Sequence, residues 1–113
     1  MNGAFWLHIF HLPRAMKTEN DIARAVREIR GALDVAQTSL GMDQAYISRV
    51  ESGKRTPTLA KIEEIAERLN VHPLAILIAA YVESHAEWRA LDKVLQSQLK
   101  EVLPPSPALP RNR

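Results

Sequence analysis

The side chains that could do chemistry are sparse and poorly grouped for catalysis. His8 and His11 share the three-residue spacing that puts two imidazoles on one helical face. No cysteine or carboxylate lies nearby in sequence to complete a metal shell. Glu63, Glu64 and Glu67 crowd one side of a helical stretch, which reads as a solvated face. His72 stands before Pro73 as a helix-start residue, and His85 reads as a surface side chain. The chain has no cysteine, which removes thiol catalysis and a disulfide framework and suits a reducing, cytoplasmic setting. It also shows no phosphate-cradling glycine loop and no nucleophile elbow. These residues do not point to an enzyme, and they imply no cofactor.

What remains is recognition by polar side chains. The stretch "GMDQAYISRVESGKRTP", residues 41–57, holds a short amphipathic run fenced at both ends. Gly41 supplies a turn in which a left-handed backbone costs nothing. Asp43 is placed to cap a helix by accepting from backbone N–H groups two or three residues on, and Gly53 is placed to stop it. Within the run Ile47 and Val50 point one way, while Gln44, Ala45, Ser48 and Arg49 point largely outward. A helix this short, anchored by apolar residues and polar at its exposed start, fits the DNA major groove, which is about 12 Å wide.

The elements that must position this helix are legible in the periodicity. Ile22, Ala25, Val26 and Ile29 recur at helical steps, with Arg24, Arg27 and Arg30 on the other flank. Asn20 or Thr18 can cap that helix, Arg24 and Glu28 form an i,i+4 pair, and Gly31 is expected to end or loosen it. A second short helix fits residues 34–40. A helix from Thr56, Pro57 or Thr58 to Asn70 would bury Leu59, Ile62, Ile65, Ala66 and Leu69, with Glu64 paired to Arg68. From Pro73 the chain can run helical to Leu103 with a break near residues 82–84. Nothing alternates as a strand would. The expected fold is all-α: a compact bundle of about five helices with a helix-turn-helix, extended by a C-terminal helix.

At 113 residues the chain is sized for one domain plus tails. Residues 1–17 read as an N-terminal extension, or else as a packing arm for a neighbouring subunit; Met16 opens a second, more natural beginning. The apolar centre of the extension is too short to span a membrane, which takes about 20 residues. It also lacks the basic start and cleavage site of a secretory signal. Residues 18–80 form the expected helix-turn-helix domain and residues 81–103 a C-terminal helix. Residues 104–113, rich in proline, read as a disordered tail. The formal charge of +2 does not by itself declare a nucleic-acid binder. Residues 20–73 carry as many acidic as basic side chains, so any electropositive face must arise from placement.

The segment "LGMDQAYISRVESGKRTPTLAKIEEIAERLNVHPLAIL" resembles the Cro/repressor-type helix-turn-helix proteins, the XRE family. The matches are the Leu40-Gly41 turn, the core from Ile47 to Glu51, Gly53-Lys54-Arg55, Pro57, and Leu69 with Val71. The resemblance covers about residues 20–78. It implies a sequence-specific, DNA-binding transcriptional regulator, by family habit a repressor and a dimer on double-stranded DNA. It also implies that Asp43, Gln44, Ala45, Tyr46, Ser48 and Arg49 lie on or beside the recognition helix. Gln44 can then pair with an adenine, Arg49 with a guanine or a phosphate, and Ala45 with a thymine methyl. Tyr46 and Ser48 suit phosphate or groove-wall contacts, with Tyr46 equally suited to packing. Lys54 and Arg55 suit the phosphate backbone, which positions without specifying. Gln37 matches a glutamine that holds a phosphate, and Glu51 a structural carboxylate whose partner would be Arg30 or Arg27.

The family pattern is broken at one place. About four residues are missing before Gly41, close to one helical turn. Either the second helix is truncated, or Gln37 slides into the position of a small alanine and buries its amide, at about 1–3 kcal/mol if unpaired.

In the C-terminal helix Leu77, Tyr81, Trp88, Leu91, Leu95, Leu99 and Val102 fall at spacings near three, four or seven. Residues 75–82 are apolar nearly all round. A homodimer interface through Leu77, Tyr81, Trp88, Leu91 and Leu95 is the expectation, the alternative being a helix folded back on its own bundle. Two rivals to the regulator remain: an antitoxin-like or accessory module whose C-terminal helix seizes a protein partner, and an interaction bundle that has lost DNA binding.

Overall fold

The computed structural model describes residues 19–107, and among these no strand forms. The N-terminal extension, with His8, His11 and the Thr18 cap, lies outside that range, as do residues 108–113 of the tail. Five α-helices follow in order: α1 Ile22–Ala32, α2 Gln44–Glu51, α3 Leu59–Leu69, α4 Pro73–Tyr81 and α5 His85–Lys100. A single 3₁₀ turn, Gln37–Leu40, stands between α1 and α2. The chain divides into two compact units: α1 to α4 belong to Lys17–Ser84, and α5 belongs to the other.

The start of α1 corrects the expected cap. Asp21, not Asn20, holds the position, its carboxylate accepting from the Arg24 N–H at 3.1 Å. The Asp21 N–H meanwhile donates to the Ala80 carbonyl of α4 at 2.7 Å, and the Arg24 guanidinium donates to that of Ala79 at 2.8 Å. Carbonyls at the end of α4, which have no partner within their own helix, are thus satisfied by the start of α1. Arg24 also makes the expected pair with Glu28, at 3.0 Å.

Gly31 does not end α1. The helix runs on to Ala32, and the stop falls at Asp34, which adopts a left-handed φ of 57°. The Asp34 N–H reaches the Gly31 carbonyl and the Val35 N–H that of Arg30, a Schellman closure. This stop explains why the helix expected over residues 34–40 shrinks to one turn. Asp34 is spent on the closure and Ala36 is extended, leaving four residues before Gly41. Of the two alternatives posed by the missing turn, truncation is therefore realised; the Gln37 amide is also drawn inward.

Gly41 takes the left-handed conformation its place requires, with φ 71°. Asp43 caps α2 through the Ala45 N–H at 3.0 Å. Gly53, at φ 78°, closes it, its N–H on the Val50 carbonyl and that of Lys54 on the Arg49 carbonyl. Thr58 caps α3, its hydroxyl oxygen accepting from the Lys61 N–H at 3.2 Å. His72 caps α4, Nδ1 accepting from the Leu74 N–H at 3.0 Å, with Pro73 at the first helical position. Asn70 repeats the left-handed stop at the end of α3. Asp and Asn tolerate that conformation because their short polar side chains bond locally.

The core of this unit lies where α1 crosses α4 and α2 while α3 packs on α4. Val26, Ile47, Val50, Ile65 and Ile76 are wholly buried at its centre, and Leu40 from the 3₁₀ turn joins them. Two expectations for α3 fail. Leu59, at the first helical position and on the flank of the apolar stripe, is 60% exposed. Glu64 bonds Lys61 at 3.1 Å in place of Arg68, whose guanidinium lies over Gly41. The apolar α4 is largely absorbed: Ile76 and Ala80 are buried and residues 77–79 half-buried, while Leu74 is exposed. The chain breaks after Tyr81 as expected, and Val82 is extended. In α5, Trp88, Leu91, Val94 and Leu95 are half-buried, and Leu99 is exposed.

Candidate nucleic-acid interface

Helix α2 is held from behind by a polar network as well as by Ile47 and Val50. Glu51, 4% exposed, is its hub. Arg30 grips the carboxylate with both ends of its guanidinium, Nε to Oε2 at 2.7 Å and Nη2 to Oε1 at 2.8 Å. Gln37 Nε2 donates to Oε1 at 2.9 Å, and Arg27 donates to the Glu51 backbone carbonyl at 2.6 Å. Arg30 Nη1 also binds the Val35 carbonyl at 2.9 Å, tying the stop of α1 into the same cluster. Both arginines offered as partners for Glu51 are therefore engaged, one with its side chain and one with its backbone.

Burial pushes the Glu51 carboxyl up. The hydrogen bonds from Arg30 and Gln37 and the charges of Arg30 and Arg27 outweigh it and hold the group below its ordinary value. The hydrogen bond to Glu51 in turn raises Arg30, despite its desolvation. The pair stays ionised at neutral pH. A bidentate, charge-assisted contact of this kind fixes orientation as well as distance.

With its inner face fixed, α2 leaves Gln44, Ala45, Ser48 and Arg49 exposed, as does Asp43 at the cap. Lys54 and Arg55 are exposed just beyond the stop. Their N–H groups both fold back on the Arg49 carbonyl, at 2.9 and 3.1 Å, so the two bases leave the helix end in a defined direction. Tyr46 is half-buried, packs against the core, and carries two cations over its ring: Arg55 at 5.5 Å and Lys61 at 5.4 Å from the centroid. Lys61, on α3, was not legible as part of this group, because only the folded chain brings its ammonium over the Tyr46 ring.

Gln37 stands apart from the rest. It is half-buried with its amide nitrogen on Glu51, which is a structural engagement, and it does not join the outward-facing set. The amide feared to be unpaired has a charged acceptor, so the cost of drawing it inward is offset. Leu77 and Tyr81 line a small cleft with Ile22, Pro57 and Ile62, while Trp88, Leu91 and Leu95 sit half-buried on α5.

Comparison with protein families shows that residues 26–76 fit the family described as helix-turn-helix. Residues 26–76 are a helix-turn-helix domain of the Cro/repressor type. The match runs from Val26 in α1 to Ile76 in α4, and so spans the network, helix α2 and the flanking bases together. This is a family of DNA-binding regulators, not of enzymes. Comparison with curated proteins and with solved structures finds no significant match. Among the described residues no group of three or more His, Asp or Glu side chains could hold a metal ion, and no helix is long and apolar enough to cross a membrane.

Proposed function

We propose that this helix-turn-helix chain is a sequence-specific repressor that binds double-stranded DNA as a dimer. Helix α2 would enter the major groove with Gln44 and Arg49 reading base edges, Ala45 meeting a thymine methyl and Ser48 the groove wall. Asp43 would lie at the groove entrance, while Lys54 and Arg55 neutralise phosphates. The observation that supports this most directly is the division of α2. Three inward residues, Ile47, Val50 and Glu51, are buried, whereas Gln44, Ala45, Ser48 and Arg49 are exposed on a helix only eight residues long. Repression would follow from occlusion of the site, without bond chemistry.

The test is a footprint and gel shift on DNA flanking the protein's own gene. Arg49→Ala should weaken specific binding by about 1–3 kcal/mol if it reads a base. Lys54→Ala should weaken all DNA alike and reduce the salt dependence. A second reading, an accessory protein-interaction module with weak DNA binding, is favoured by the inward turn of Gln37, which costs the motif one phosphate anchor. A footprint and a shift absent in the parent protein would favour that module.

A further inference from the structure

Three elements converge on one aromatic ring. Tyr46 comes from α2, Arg55 from the loop after it, and Lys61 from the first turn of α3. Arg55 and Lys61 are exposed, so each cation meets the ring on one side and solvent on another. A cation over a half-buried ring that still meets solvent is held weakly, enough to bias a long, flexible side chain without immobilising it. Lys61 pairs with Glu64 at 3.1 Å, both side chains partly in solvent. Such pairs contribute little and yield readily to a stronger anion.

The opposite flank of the recognition helix has given up an anchor of its own. The 3₁₀ turn replaces a full helix there, and Gln37 is consumed by Glu51. Anchoring on the DNA backbone is therefore weighted toward the side where Lys54, Arg55 and Lys61 gather. We infer that Tyr46, Arg55 and Lys61 form a phosphate clamp in which the Tyr46 ring is a positioning residue and Lys61 is a DNA-backbone contact. The ring gathers two cations from separate elements before DNA arrives, so less side-chain freedom is lost on binding. The tyrosine hydroxyl has no part in it; the aromatic face does the holding.

This rests on the DNA-binding reading, and the experiment separates the two. Fluorescence anisotropy with the full chain and a labelled mixed-sequence duplex of two to three helical turns, repeated across a salt series, reads the number of phosphates neutralised. Each contact adds about 0.9 to the magnitude of the log–log slope on B-DNA. Lys61→Ala should lower that slope by about one contact. Tyr46→Leu should lower it by more than Lys61→Ala does, up to about two contacts, and Tyr46→Phe should restore it. Thermal melts check that each variant is folded, and a merely structural role for the ring would move the melt while leaving the slope of the folded protein unchanged. A parent that binds no duplex overturns the DNA-binding reading and the clamp with it. A parent that binds, but keeps its slope in folded Lys61→Ala or Tyr46→Leu, overturns the clamp alone. Loss of slope in Tyr46→Phe would mean that the hydroxyl itself touches DNA, which also overturns it.

Discussion

Glu51 shows what a single buried carboxylate does for a protein of this size. It accepts from Arg30 twice and from Gln37 once, so α1, the 3₁₀ turn and α2 share one hub. Removing it strands a partly buried guanidinium and the Gln37 amide. Glu51→Ala should cost about 2–3 kcal/mol in urea melts, with Arg30 recovering part of the loss because it is 21% exposed. The pH dependence follows from the depressed carboxyl. The folded value lies below the unfolded one, so the stabilisation is complete above the ordinary glutamate range, about 4.3. It drains away as the pH falls through the folded value. The parent's urea midpoint should therefore drop on acidification more steeply than that of Glu51→Gln. Equal slopes for the two proteins would show that the carboxylate is not the titrating group.

At the scale of elements, three successive helices end in the same way, at Asp34, Gly53 and Asn70, each with a left-handed residue and backbone N–H groups turned back on the last carbonyls. Helix lengths are set by these stops more than by apolar periodicity, which is why α1 overran Gly31 and the second helix of the motif dwindled to one turn. Gly41 is the turn on which the entry to α2 depends. A Cβ there would come within 2.8 Å of Arg68 Nη1, but that atom is the tip of a flexible side chain and can move aside. The left-handed backbone cannot be relieved so easily. Gly41→Ala should cost about 1–2 kcal/mol, and the cost should persist when Arg68 is also changed to Ala. A double variant as stable as Arg68→Ala alone would mean that contact, not backbone strain, governs the position.

For the whole molecule, the question is whether two copies present two recognition helices. A dimer would set them against half-sites about 34–36 Å apart, one turn of DNA. Helix α5 supplies the surface for this proposal: Trp88, Leu91 and Leu95 stay half-buried and Leu99 is 45% exposed. Light scattering of the parent should give the mass of a dimer and Trp88→Glu that of a monomer. A monomeric parent, or an unchanged mass in the variant, removes α5 from that role. Helix α4, apolar nearly all round, buries Ile76 and Ala80 within its own unit and has less need of a second chain than its sequence implies.

The helix-turn-helix, the cap at Asp43, the stop at Gly53 and the buried Ile47 and Val50 were determined by the sequence alone. Each depends on contacts within about one helical turn, and local residue types report those directly. Glu51's need for an arginine could be named, but its capture by Arg30 and Gln37 together, with Arg27 on its backbone, required α1 and the 3₁₀ turn to be placed against α2. The same holds for Lys61 beside Tyr46, for Arg68 over Gly41, and for the exposure of Leu59. Those outcomes turn on helix-to-helix distances of a few ångströms, which the order of residues along one helix does not encode. Only the packed tertiary structure fixes them, because there the long, flexible side chains find the partners that neighbouring elements bring within reach.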